Sequence, residues 1–208
     1  MFHARLEELA TCVRECIYTA LDGDLTGIQA LDRAHELLRQ TKRHGGIVYV
    51  VGNGGSAGIA SHFCTDLMKC LQVPSQTLYD SNVMTCLAND IGYENVFSYS
   101  LQRLLKPHDL LVAISSSGKS PNILNAVYVA RARHTPVITL SGFAEANPLR
   151  TLGHLNFWID RPDYGIVESA HFFLLHTIVD SWNKQGTDHA QIARSISQQK
   201  NQIAARRR

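Results

Sequence analysis

Residues Ile47–Lys69, IVYVVGNGGSAGIASHFCTDLMK, decide the fold. The first five are apolar or aromatic and rich in β-branched side chains, too short a run for most helices, so they read as a buried parallel strand. Gly52-Asn53-Gly54-Gly55-Ser56 follows, a loop whose backbone can turn sharply and come close to a ligand. Ala57 to Lys69 then reads as a helix, with His62 and Asp66 one turn apart on one face. A strand, a glycine loop and a helix N-terminus make a phosphate cradle, because free backbone N–H groups and the helix dipole both favour an anion.

Ahead of this stretch, Leu6, Leu9, Ala10, Val13, Ile17 and Ala20 recur at helical spacing and predict a helix from Ala4 to about Ala20. Leu25, Ile28, Leu31, Ala34, Leu37 and Leu38 predict a second, ending near Gly45-Gly46. Such an amphipathic pair either covers the domain's own sheet or packs against another subunit, and a homo-oligomer is expected. Behind the stretch come a short strand at 76–79, a helix at 81–87 opened by Ser81, a loop at 89–93 and a helix from Val96 to Leu105. Leu110–Ser115 is an apolar strand, and Ser115-Ser116-Ser117-Gly118-Lys119-Ser120 is a second polar loop. Pro121 opens the next helix with Ser120 as its N-cap. Strands at 136–140 and 155–159 follow, then a long helix from Tyr164 to about Lys184.

Strands alternating with helices in this way predict a doubly wound α/β fold, a mostly parallel five-stranded sheet flanked by helices, with an N-terminal helical pair. The chain reads as one domain: residues 1–45 as the oligomerising helices, 46–185 as the α/β core, and 186–208 as a C-terminal helix and basic tail. In open sheets of this type ligands bind beyond the carboxyl ends of the strands, where both polar loops belong.

Composition narrows the function. With 45% hydrophobic and 18% charged residues among 208, the chain is an ordinary folded protein. A net charge of +2 gives no nucleic-acid or membrane signature, and Lys200 and Arg206–Arg208 read as a solvated end. No run approaches the roughly 18 apolar residues of a membrane span, and the charged N-terminus has no apolar core of signal-peptide length. Five cysteines, at 12, 16, 64, 70 and 86, form no CxxC motif. Reduced thiols and a cytoplasmic location are expected; Cys12 and Cys16 share a face of the first predicted helix.

The serine loop offers an anion several hydroxyl donors without a positive charge. It ends GKS, but a nucleotide P-loop needs a glycine where Ala113 stands. The glycine loop formally fits the dinucleotide fingerprint G-x-G-x-x-G/A, yet its acidic companion is misplaced: Asp66 falls inside the helix and Asp80 lies 28 residues past Gly52. No nucleotide or redox cofactor is expected. His62 and Asp66 on one helix, with Glu168 and His176 eight residues apart on another, could hold a divalent metal such as zinc or serve as a general acid/base set. His171, on the same tail helix, is poorly aligned with His176.

GNGGS at 52–56, SHF at 61–63 with an acid four residues past the histidine, AND at 88–90, SSSGKS at 115–120 and the late H-x4-H at 171–176 resemble the sugar isomerase (SIS) domain family. Within it the chain is most similar to phosphoheptose isomerases, which interconvert sedoheptulose 7-phosphate and a heptose 7-phosphate in surface-polysaccharide synthesis. The resemblance implies substrate binding by Asn53, Gly54 and Ser56, by Asp90, and by Ser115, Ser116, Ser117 and Ser120. It implies His62 and His176 as site histidines, the latter an acid/base; isomerase chemistry then makes Asp66 or Glu168 its partner, and His62, Asp66, Glu168 and His176 together could hold one divalent metal, such as zinc, per site. A tetramer is implied ahead of a dimer. Two positions depart: the family's catalytic glutamate is Asp66 here, one methylene shorter, and its tail-helix glutamine is Glu168. Asp66 also lies ten residues past Ser56, about 15 Å along the helix axis, which predicts a composite site with His62 and Asp66 serving the phosphate loops of a neighbouring subunit. The alternatives are a non-catalytic SIS module that binds a sugar phosphate or a protein, and, behind it, a nicotinamide-dependent enzyme.

Overall fold

The structure is a computed structural model that describes residues 1–183; the predicted C-terminal helix and basic tail at 186–208 lie outside the described residues. The elements run α1 (Phe2–Arg14), β1 (Ile17–Ala20), β2 (Gly23–Leu25), α2 (Gly27–Arg43), β3 (Val48–Val51), α3 (Gly55–Asp66), β4 (Ser75–Gln76), α4 (Ser81–Ile91), α5 (Val96–Leu104), β5 (Leu110–Ser115), α6 (Pro121–Ala132), β6 (Val137–Gly142), β7 (Leu155–Ile159) and α7 (Tyr164–Asn183). They form one sheet in the order β2-β1-β7-β6-β5-β3-β4. The five expected strands pair in parallel, with Val48 against Leu110, Leu111 against Val137 and Ile138 against Leu155. β3, β5, β6 and β7 are buried at every position, as strands covered on both faces must be. α2, α3 and α7 cover one face around Leu38, Phe63, Leu67 and Val167. α5 and α6 cover the other around Phe97, Leu101, Ile123 and Val127.

The N-terminus departs from expectation. The first helix ends at Arg14, and Ile17–Ala20 instead forms an antiparallel strand on β7, turning at Leu21-Asp22 into β2. Tyr18 packs edge-on against Phe157 of β7, 5.4 Å between ring centroids. The β-branched and aromatic run Ile17-Tyr18-Thr19 and the glycine at 23, with φ +129°, are hairpin signals that the helical spacing of Ile17 and Ala20 masked. Cys16 therefore lies beyond α1 rather than on a helical face with Cys12, and all five thiols are free. α2 starts at a full capping box, Thr26 with Gln29, and its apolar stripe buries Ala30, Ala34 and Leu38.

Three local details also differ. The strand expected at 76–79 is only Ser75–Gln76. α4 is capped by Asp80, whose carboxylate accepts from the Val83 N–H, not by Ser81, and it extends into the loop expected at 89–93, ending at Ile91. The helix after the glycine loop passes at Leu67 into a single π turn, Leu67–Leu71.

From β3 the chain steps outward to β4 on one side, then returns to place β5 on the other side of β3 and continues to β6 and β7. The reversal lies between β3 and β5. A crevice opens there at the carboxyl ends of the two strands, where the glycine loop and the serine loop both emerge.

Candidate active site

The crevice is a pocket of about 250 Å³. The glycine loop from Asn53 to Ser56 forms one wall, Ser115–Ser117 and Ser120 the second, and Tyr164 and Glu168 of α7 the third. Among the described residues no lysine or arginine lines it. Gly52 is clamped by Tyr79, whose hydroxyl accepts from the Gly52 N–H at 2.7 Å and donates to the Gly52 carbonyl at 3.0 Å. A Cβ on Gly52 would stand 2.7 Å from the Ser56 carbonyl, so the loop closes this tightly only around glycine. Gly54, at the N-cap of α3, takes φ +52° and ψ −122°, a conformation open to glycine alone.

The serine loop leaves one of its hydrogen-bonding groups unmet. Ser115 Oγ–H donates to Ser120 Oγ at 3.1 Å, and Ser117 Oγ accepts from the Lys119 N–H at 3.3 Å. Ser120 holds the N-cap position of α6 as expected, but its hydroxyl turns to Ser115 instead of capping the helix. Ser116 Oγ is buried and has no partner. A buried hydroxyl without a hydrogen bond is costly, and a phosphate oxygen in the pocket would satisfy it.

Glu168 changes the reading of the glycine loop. Its carboxylate sits directly over Gly55, so close that a Cβ there would come within 2.2 Å of Oε2. The positive end of α3 thus already faces a negative group from α7. An ionised Glu168 there would disfavour a phosphate at the glycine-loop side of the pocket and favour one at the serine loop.

Asn53 is held by Asn122 of α6. The two side-chain amides exchange hydrogen bonds at 2.9 Å in each direction, and Tyr93 O–H donates to the same Asn53 Oδ1 at 3.1 Å. No local sequence signal marks Asn122, Tyr93, Tyr79 or Tyr164 as site residues; a buried asparagine in the first turn of α6 is a signal only once its neighbours are known. Asp90 does not line the pocket. It is exposed on α4, where its carboxylate accepts from Asn89 Nδ2 at 2.9 Å and from the Cys86 thiol at 3.5 Å.

His62, Asp66 and His176 converge, and Glu168 stands apart from them. Asp66 Oδ2 lies 3.4 Å from His62 Nε2 and 3.3 Å from His176 Nδ1. One ligand atom from each falls within 4.8 Å of the others. Phe172 packs against both rings, with centroids 5.1 Å from His62 and 4.4 Å from His176. Two imidazoles and a carboxylate could hold a divalent metal such as zinc with a coordination position left open. The expected fourth ligand, Glu168, lies eight residues before His176, about 12 Å along α7, and belongs to the anion pocket. His171 is a core residue. It is fully buried, its Nε2–H donates to the Ser141 carbonyl at 3.0 Å, and burial pushes its pKa down to about 4.

A doubly wound sheet with serine and glycine loops meeting at its switch point is the architecture of a sugar-phosphate-binding domain, and the SIS domain family model matches residues 24–142. Phosphoheptose isomerase of Campylobacter concisus is 34% identical over 155 residues, covering 72% of this chain and 82% of its own. The counterpart of Shewanella denitrificans is 28% identical over 184 residues, covering 85% and 94%. The solved structure of phosphoheptose isomerase from Neisseria gonorrhoeae superposes with a TM-score of 0.74 at 28% identity, covering 86% of this chain and 96% of that one. The chain belongs to the SIS domain family and, within it, to the phosphoheptose isomerases. Among the described residues no helix is long and apolar enough to cross a membrane.

Proposed function

We propose that this protein is an aldose–ketose isomerase that converts sedoheptulose 7-phosphate to a heptose 7-phosphate for surface-polysaccharide precursors. The observation that carries the reading is the pocket at the switch point, lined by a serine loop that holds an unpartnered buried hydroxyl and by the Glu168 carboxylate. The serine loop binds the phosphate, and Tyr164, Glu168 and the glycine loop hold the sugar. Anchoring the phosphate fixes the distant carbonyl end and converts part of the activation entropy into binding. Isomerisation then needs a base to take the proton beside the carbonyl and an acid to pass a proton between the two oxygens. Glu168 is the carboxylate within the pocket. The His176–Asp66 pair is the second acid/base group.

On one chain that pair lies about two helical turns from Glu168, which supports a site completed across subunits. Exposed apolar side chains on α1, α2 and α7, namely Phe2, Leu6, Ile28 and Phe173, support residues 1–45 as part of an oligomer contact, a tetramer ahead of a dimer. His62, Asp66 and His176 would hold a zinc ion, and such an ion when bound would polarise a substrate oxygen. Neither role calls for a nucleotide or redox cofactor.

The test is steady-state turnover of sedoheptulose 7-phosphate by the wild type, Ser117→Ala and His176→Ala, with and without chelator. Ser117→Ala should raise KM with kcat largely retained, and His176→Ala should abolish turnover with binding intact. The reverse pattern would overturn the roles, and turnover indifferent to chelator would remove the zinc ion while leaving the enzyme.

A further inference from the structure

We infer that Asn122 and Tyr93 are positioning residues: through Asn53 they lock the segment carrying Asp90, the glycine loop and the serine loop into one rigid receptor. The inference rests on the pocket being the sugar-phosphate site. Asn122 sits in the first turn of α6, two residues past Ser120, and is only 1% exposed. Its Nδ2–H donates to Asn53 Oδ1 and its Oδ1 accepts from Asn53 Nδ2–H, both at 2.9 Å, across 69 residues of chain. The same Oδ1 accepts from the Ile123 N–H at 3.0 Å, which fixes the Asn122 side chain against its own helix. Asn53 is thereby tied to the helix that the serine loop feeds.

Tyr93 supplies the third tie. It follows Asp90 by three residues, just beyond α4, and its hydroxyl donates to Asn53 Oδ1 at 3.1 Å. α4 buries none of its residues, so its own packing holds it weakly. Two further bonds run the same way: Asn125 Nδ2–H donates to the Glu94 carbonyl at 2.9 Å and reaches Asn95 Oδ1 at 3.5 Å. Three segments remote in sequence therefore meet at one side-chain amide. Asn53 accepts two hydrogen bonds through Oδ1 and donates one through Nδ2 to Asn122, which leaves one N–H for a ligand. Its principal part in the site is to hold the loop that carries the Gly54 and Gly55 backbone.

The discriminating feature is direction. An aspartate at 122 can still accept from Asn53 and from Ile123, but it cannot donate to Asn53 Oδ1, and it adds a charge beside an anion pocket. A phenylalanine at 93 keeps the ring and loses only the donor. Full-length wild type, N122A, N122D, Y93F and the N53A/N122A pair would be titrated with sedoheptulose 7-phosphate and with inorganic phosphate by calorimetry. KM, kcat and thermal midpoints would be recorded alongside. The expected result is a sugar-phosphate Kd and KM raised about tenfold in N122D and about threefold in Y93F, as for loss of one or two buried hydrogen bonds, with kcat within about threefold of wild type. N53A and N122A should be non-additive in Kd, the double variant matching the worse single one. If N122A fails to fold, N122D and Y93F decide. Wild-type Kd and KM in both of those variants, or additive losses in the cycle, would overturn the inference. A wild type that binds neither ligand would instead sink the sugar-phosphate reading on which it rests.

Discussion

Adding one methyl group at Gly55 tests the placement of Glu168 directly. The Cβ of alanine would stand 2.2 Å from Glu168 Oε2, 2.6 Å from Cδ and 2.7 Å from Oε1. Ordinary contact begins near 3.4 Å, so the carboxylate must retreat by about 1 Å or more. It can do so, because the clash is with the far end of a half-buried side chain and not with backbone. Gly55 does not have a positive φ, so its backbone accepts alanine, and a glycine-to-alanine change at a compatible site gains about 0.4–1 kcal/mol by restricting the unfolded chain. Stability should therefore hold or rise slightly. Catalysis should not hold: a displacement of about 1 Å of a reacting group costs on the order of a hundredfold in rate. The assay is kcat for sedoheptulose 7-phosphate in G55A, E168A and the double variant, with a thermal melt of each. The expected result is a kcat loss of about a hundredfold in G55A at an unchanged or higher Tm, and no further loss when G55A is added to E168A. Wild-type kcat in G55A, or additive losses in the double variant, would show that Glu168 does not act from this position.

Further predictions concern the surroundings of the site. His171 is neutral when folded because burial holds its pKa at about 4 against an ordinary 6.5. Above pH 6.5 both folded and unfolded states are neutral there; below it the unfolded chain takes up a proton that the folded one refuses. Stability should thus fall as pH drops from 6.5 toward 4, by up to about 3 kcal/mol from this residue, and melts of H171Q should show a shallower slope over that window. Y79F removes both hydrogen bonds that clamp Gly52 and should cost about 1–3 kcal/mol of stability in denaturant titration, with a raised KM; an unchanged KM would mean that the loop holds its shape without the clamp. Burial pushes the Cys16 thiol up to about 12 and the Cys64 thiol up to about 11, and Cys12 is also buried. A thiol reagent at pH 8 should react quickly only at Cys70 and Cys86 until the protein is denatured. Rapid modification of all five in the native state would contradict the packing of α1 and α3.

The parallel core and both loops were legible because buried parallel strands leave an unmistakable pattern: apolar runs such as Leu110–Ile114 ending in glycine or serine. The N-terminal hairpin was not, because Ile17 and Ala20 continue the apolar spacing of α1 while what draws them into a strand is the open edge of β7, where they pair with the distant residues Trp158 and Leu155. Local periodicity carries no information about that edge. The site shows the same division. Spacing placed Glu168 and His176 on one face of α7 correctly, yet a helical face is a stripe, and position along it decides the partner. Glu168 meets Gly55 at the start of α3, whereas His176 meets Asp66 at its end. The amide clasp of Asn53 and Asn122 had no local signature at all, since each residue is an ordinary loop or helix-start asparagine until the two loops are brought together.

The central claim, an isomerase whose serine loop anchors a phosphate so that a distant carbonyl can react, meets its most direct test in one NMR time course. The purified protein would be incubated separately with sedoheptulose 7-phosphate and with unphosphorylated sedoheptulose at equal concentration. Aldose signals should grow from the phosphorylated ketose and essentially none from the free sugar, whose phosphate anchor is missing. Equal turnover of both sugars would contradict the anchoring role of the serine loop, and turnover of neither would contradict the assignment as a heptose isomerase.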